Sequence, residues 1–374
     1  MPDDDDKEAS LVRIATLAVA LSLCAAAASA QVTPAAGYTP PDDTPSIKIG
    51  AVIYADYTYT QNPQATDADG NLFHPNQFNI SRSYLNVTGN ISHIVAFRIT
   101  PDISRETNTA SSLSGSLEFR IKYAYAQFNL DDWMTKGSYA RFGIQQTPWL
   151  DFAEGIYRYR FQGTMFVERE GYFASADGGA SFHYQLPSNY GDVHVGVFNG
   201  ENYNKAETND QKALMVRATV RPFATQAPVL RGFRATLFYD GDHYVKDAER
   251  TRLIAGLSFE HPYVNAAFEY LDTHDQTSAK VGVPNLEGKG FSIWATPKST
   301  KGWEALLRYD HLKPNSSAND TVRNRTIVGV SYWFPHQGSV SSALMLDYDG
   351  QTFDNFTPAL PAQKRIALHG LVSF

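Results

Sequence analysis

The chain has 374 residues, with 32 Lys+Arg against 39 Asp+Glu, a net charge of -7 and a single Cys. One Cys excludes a disulfide scaffold, a pI of about 5.8 leaves no bulk basic surface for nucleic acid, and 43% hydrophobic residues exclude a disordered chain. Only one apolar run approaches the length of a membrane helix, so a multispan helical protein is excluded as well.

That run, Leu11 to Ala30, comes first in chain order. Arg13 gives a positive start, Ile14 to Leu23 forms a short apolar core, and Ala28-Ser29-Ala30 makes an A-x-A cleavage site before Gln31. Residues 1–30 therefore read as a leader and signal peptide, and cleavage would leave a mature chain without Cys, because Cys24 lies inside the run. A membrane anchor is the alternative, although the run is short for a span. A lipoprotein signal needs a small residue before its Cys, and Leu23 stands there. The acidic start, MPDDDDK, is unfavourable before a signal core and reads as a wrongly assigned start or a cloning remnant. Residues 31–46, with Pro34, Pro40, Pro41 and Pro45, read as an extended lead-in.

From residue 47 to 374 the dominant pattern is two-residue alternation. Leu117, Phe119 and Ile121 alternate with Glu118, Arg120 and Lys122, and Leu253, Ala255, Leu257 and Phe259 alternate with Arg252, Gly256, Ser258 and Glu260. The pattern predicts strands over 47–60, 77–90, 94–103, 116–130, 138–147, 178–187, 192–200, 212–222, 232–241, 252–261, 264–275, 288–298, 302–313, 323–334, 343–352 and 364–374, sixteen in all. Short connections such as 187–191 and 261–263 alternate with long ones such as 61–76 and 276–287. A sandwich has no reason for that regularity, whereas an outer-membrane barrel has short periplasmic turns and long external loops.

Four features favour the barrel over a soluble sandwich. Apolar faces end in Tyr57 and Tyr59, Tyr123 and Tyr125, or Tyr348, which suits a membrane interface. The opposite faces carry charges of both signs, as a water-filled lumen requires. Strands of about ten residues cross a bilayer at a tilt. The chain ends in Phe374 on an alternating segment, like the terminal aromatic of bacterial outer-membrane barrels. Closure also leaves no sheet edge unsatisfied in lipid. The expected fold is an all-β, transmembrane antiparallel barrel of 16 strands over residues 47–374, in contact with outer-membrane lipid in a bacterial cell. A secreted β-sandwich adhesin or lectin, soluble without detergent, is the rival. The longest connection, 148–177, is the third external loop by this count and holds Arg158, Arg160 and Arg169 among Tyr157, Tyr159 and Phe161. Loops of this length are usually functional. An inward fold that narrows the channel is expected, with an external flap as the alternative.

Several segments resemble the phosphate-selective porin O and P family. They are Asn79 to Val87, with Arg82; Tyr123 to Phe128; Arg141 to Trp149; and Phe166-Val167-Glu168-Arg169. Ser83 and Trp149 depart from the family pattern, which more often has Arg and Phe there. The resemblance implies a homotrimer of 16-stranded barrels that passes small anions, phosphate among them, through an Arg- and Lys-lined pore.

Parity along the strands places Arg82, Arg98, Arg120, Lys122 and Arg141 inward on consecutive strands. With Arg158, Arg160 and Arg169 they form the candidate pore-constriction and anion-binding set. Arginine remains charged and its planar fork pairs with phosphate or carboxylate oxygens. Several weak sites let an anion enter and still leave. The alternative is structural: pairs such as Glu118 with Arg120 and Glu304 with Arg308 would be neutralised networks that stiffen the wall. The expected function is passive diffusion, with no catalytic residue, cofactor or metal. A general or cation-preferring porin is the runner-up. Asp67, Asp69 and Asn71 have calcium-loop spacing, but Leu72 and Phe78 stand where such a loop needs Gly and Glu. No HExxH or GxSxG motif occurs.

Overall fold

The computed structural model describes residues 43–374 except 107, 226–228, 244, 318–319, 337 and 339. The expected leader and signal peptide, 1–30, and residues 31–42 of the lead-in lie outside the described residues. In chain order the strands are β1 (Ser46–Asn62), β2 (Ala65–Thr66), β3 (Leu72–Phe73), β4 (Asn76–Asn90), β5 (Val95–Arg105) and β6 (Leu117–Asn129). They continue as β7 (Tyr139–Gln146), β8 (Ala176–Gln185), β9 (Gly191–Phe198), β10 (Ala213–Val220), β11 (Phe233–His243) and β12 (Glu249–His261). The last six are β13 (Val264–Asp275), β14 (Leu286–Pro297), β15 (Trp303–Lys313), β16 (Val322–Trp333), β17 (Ser341–Asp354) and β18 (Gln363–Ser373). Strands β2 and β3 pair only with each other, inside the first long connection. The other sixteen close into one antiparallel barrel, each beside its neighbour in sequence, and a seam joins β1 to β18 from Val52↔Ser373 to Thr60↔Arg365. Every expected barrel strand is present, with ends displaced by no more than three residues.

The alternation becomes two faces. In β12, Leu253 and Leu257 are exposed while Arg252 and Ser258 are buried, and in β17, Leu344, Leu346 and Tyr348 are exposed while Met345, Asp347 and Asp349 are buried. An exposed apolar band around a closed wall with polar groups inside is the arrangement a bilayer demands. The connections at one end are mostly short, as at 91–94, 186–190, 262–263 and 298–302; those at the other include 147–175 and 199–212.

Two expectations need correction. Tyr123 and Tyr125, expected at the lipid interface, are 5% and 4% exposed and lie on the inner face. The cause is a β-bulge. Thr100 opposes Tyr123 but Pro101 opposes Ile121, so Lys122 is an extra residue in β6. Pro101 has no N–H to donate, so the ladder is interrupted there, and a single inserted residue reverses parity beyond it. The inner face is also less polar than expected: Phe238, Ile254, Leu271, Trp294, Leu306 and Ile327 are all buried on it.

Candidate functional site

The connection between β7 and β8 is not irregular throughout. Pro148 occupies the start of helix α1 (Pro148–Ile156), with Asp151 in its first turn, and a short helix α2 (Phe166–Arg169) follows. Proline fits the first helical position because no partner awaits its missing N–H, and an acid near that end suits the helix dipole. The Thr147-Pro148 start and Asp151 were the sequence signals for α1.

This segment packs against residues that alternate with the exposed apolar band. Its contacts run from one end of the wall to the other. Near the short-turn end, Asn265 donates to the Ile156 carbonyl at 3.2 Å. Arg158 donates to Glu304 at 2.8 Å, and the Tyr159 hydroxyl donates to the same carboxylate at 2.9 Å. Nearer the long-loop end, Arg308 donates to the Thr164 carbonyl at 3.0 Å and Arg323 to Glu170 at 3.1 Å. Between these contacts lies an apolar cluster that joins Trp149, Tyr157, Phe161 and Phe166 of the segment to Phe238, Trp294, Leu306 and Trp333 of the wall. Small wall residues receive the rings. A Cβ on Gly256 would stand 2.9 Å from the Trp149 ring, and one on Gly290 would stand 2.9 Å from that of Phe166.

The eight predicted site residues fall into two groups. Half are neutralised. Arg82 pairs with Asp102 at 2.9 Å, Arg141 with Asp151 at 3.3 Å and Arg158 with Glu304, while Arg160 contacts both Glu154 and Glu168. The other four, Arg98, Arg120, Lys122 and Arg169, make no ion pair among the described residues. Arg98, 3% exposed, donates to Thr100 and Asn86 at 2.9 Å each. Lys122, 1% exposed, donates to the Tyr84 hydroxyl at 3.0 Å. Both cations lie over the Tyr123 ring, at 4.5 Å and 5.4 Å from its centroid. Arg120 stacks on Tyr203 at 4.9 Å. Arg169 donates to Gln162 at 3.1 Å, and its Nη1 has no partner.

The electrostatics follow from these positions. Burial pushes the Glu168 carboxyl up, but Arg160, Lys122 and Arg82 outweigh it and hold the group at about 2. Burial, reinforced by the nearby Arg308 and Arg325 charges, brings the Arg169 guanidinium down to about 10. Both groups are therefore ionised at neutral pH. Sequence reasoning did not single out Arg323 and Arg325, or the counter-charges Asp102, Glu154 and Glu168. Arg323 and Arg325 share one face of β16 with buried Ile327, and two-residue alternation was the signal that could have found them. Nothing in the one-dimensional pattern showed which acids would reach which cations. Among the described residues no group of His, Cys, Asp and Glu could hold a metal ion.

A closed barrel of sixteen antiparallel strands with an apolar exterior and a charged, aromatic interior defines the class of bacterial outer-membrane porins. Residues 47–255 match the family described as phosphate-selective porin O and P, and the chain belongs to that family. It is a transport protein of the outer membrane. No curated protein matches it in sequence. Among solved structures it is similar to an anion-selective porin from Comamonas acidovorans, with TM-score 0.62 and 11% identity over 88% of this chain and 100% of that one. It is also similar to a loop L8 deletion mutant of OmpT, an outer membrane protein of Vibrio cholerae (TM-score 0.59, 11% identity, 89% and 100% covered). A third is Salmonella typhi OmpF in complex with daunomycin (TM-score 0.55, 11% identity, 89% and 98% covered). At these identities the likeness shows the fold alone.

Proposed function

We propose that this porin passes small solutes by passive diffusion and favours anions such as phosphate, with the 147–175 segment folded into the barrel as its constriction and three copies forming the working unit. The observation that carries the anion preference is the set Arg98, Arg120 and Lys122 on the adjacent strands β5 and β6, with no carboxylate at ion-pair distance among the described residues. A buried cation without a counter-charge is costly, so an anion arriving from solution would be drawn there. Arg169 adds a further uncompensated guanidinium within the segment. Arg158 and Arg160, already paired, serve to fix the constriction. The inward fold is supported by hydrogen bonds from the segment to Glu304 and Asn265 near the short-turn end. The anion-selective porin from Comamonas acidovorans and a trimer form of OmpT share the fold, which supports both readings.

The test is the reversal potential of purified protein in a planar bilayer under a KCl gradient, followed by addition of phosphate. Anion-directed reversal and block of chloride current by phosphate are expected. In Arg98→Gln/Lys122→Met both should weaken several-fold. Unchanged selectivity in that variant would remove the assignment and leave a general porin.

A further inference from the structure

On the outward face of β12 to β16, close to the short-turn end, two alanines sit directly opposite each other: Ala266 of β13 pairs with Ala295 of β14. In the same cross-strand row, Phe259 opposes Ala266 and Leu307 opposes Ala295. One row further toward the long loops, Phe268 opposes Ile293. Small side chains thus form a floor between large ones, leaving an apolar groove of about 540 Å³ on the exposed band. That volume is within the range of small-molecule sites, roughly 300–1,000 Å³.

Below this groove the surface changes character. Tyr263 and Trp303 are exposed, and the Trp303 ring lies 5.1 Å from that of Tyr332. Aromatic residues at strand ends mark the level of lipid headgroups, so the groove lies one to two residue pairs inside the hydrocarbon of the periplasmic leaflet. Beyond the aromatics, exposed cations stand at both sides of the groove: Arg231 before β11 and Lys301 in the turn from β14 to β15. Neither makes an ion pair among the described residues. The nearby acids are engaged elsewhere, Glu260 with Arg234 and Glu304 with Arg158.

We infer that this groove is a binding site for one acyl chain of a phospholipid from the periplasmic leaflet, with the lipid's phosphate held by Lys301 and Arg231. An apolar slot in the hydrocarbon, an aromatic rim and uncompensated cations at headgroup depth match the three zones of such a lipid. The inference rests on the membrane-barrel fold and is independent of solute preference.

The experiment is native mass spectrometry of the full chain, purified in detergent and incubated with palmitoyl-oleoyl phosphatidylglycerol or the corresponding phosphatidylcholine. The wild-type chain should retain about one lipid through a detergent wash that strips bulk lipid. Ala295→Phe, which fills the floor, should lower that occupancy at least fivefold, with the heat-modifiable band and channel conductance unchanged. If Ala295→Phe does not fold, Ala266→Leu is the second filling variant. Lys301→Glu should reduce retention of phosphatidylglycerol more than of phosphatidylcholine. Equal retention by a folded, filled variant would overturn the site. So would a change in the number of associated chains with lipid occupancy unaltered, because the groove would then be a contact between copies.

Discussion

Tyr123 shows how a single side chain sets the character of the interior. Its ring lies under both Arg98 and Lys122, so two positive charges are held close together by aromatic faces where an acid would neutralise them. Glu168 is the counter-example, one carboxylate among Arg160, Lys122 and Arg82. Its folded value of about 2 lies below the ordinary value near 4.5. The sign follows: ionised Glu168 stabilises the folded segment above the ordinary carboxylate value, and that contribution is lost as pH falls from there toward 2. Current noise recorded from pH 5 to pH 3 should therefore rise as the segment loosens, and Glu168→Gln should be noisy already at pH 5 and lack the transition. Arg158→Gln leaves Glu304, a largely buried carboxylate, without its guanidinium. Breaking a buried pair in this way costs on the order of 3–5 kcal/mol. Cation preference should increase in the bilayer recording while the barrel remains closed.

At the scale of elements, the wall and the 147–175 segment are fitted by small residues at defined positions. Gly143 has φ +124, and a Cβ there would stand 2.3 Å from the Ala124 carbonyl oxygen of the neighbouring strand. Gly143→Ala should lower the temperature at which the compact band unfolds on a gel, at a cost of about 1–3 kcal/mol for a strained residue. Trp149, 2% exposed, anchors α1 against Gly256 and Phe238. Trp149→Ala removes a ring worth about 3–5 kcal/mol in a packed core. Larger and more variable single-channel conductance is expected, and an unaltered conductance would show that α1 does not restrict the pore. Pro101 and the bulge at Lys122 belong here too. Deleting Lys122 would restore a regular ladder, with Ile121 outward and Tyr123 and Tyr125 still on the inner face, and would remove the Lys122 charge from beside Tyr123.

For the whole molecule, closure depends on the last residues of the chain. Backbone bonds of 3.0 Å run both ways between Ala51 and Phe374, beyond the last paired residues of the seam. A chain ending at Gly370 would lose the contacts of Leu371, Val372, Ser373 and Phe374 with β1 and expose a sheet edge that hydrocarbon cannot satisfy. Loss of the heat-modifiable band is the expected outcome on a gel. The barrel also separates its interior into unlike halves. Cations and tyrosines of β4 to β7 face one part of the segment, whereas Phe238, Ile254, Leu271 and Trp294 of β11 to β14 bury another. On the proposed reading, the first half meets solute and the second holds the segment in place.

The sixteen strands and their closure were legible in the amino-acid sequence because a strand's period of two is local: each residue's face depends only on its neighbours. The alternating loop lengths carried the topology for the same reason. Parity failed where one inserted residue, Lys122, reversed the faces, and the visible sign was Pro101 on a different strand. Pairing of charges was not legible at all. Arg160 meets Glu154 and Glu168 within its own segment, but Arg158 meets Glu304 from 146 positions away. Which cations remain available to a solute is thus decided by how the third loop lies against a wall assembled from the entire chain. Short-range alternation determines that a barrel forms, and only long-range contact determines what its interior charges can do.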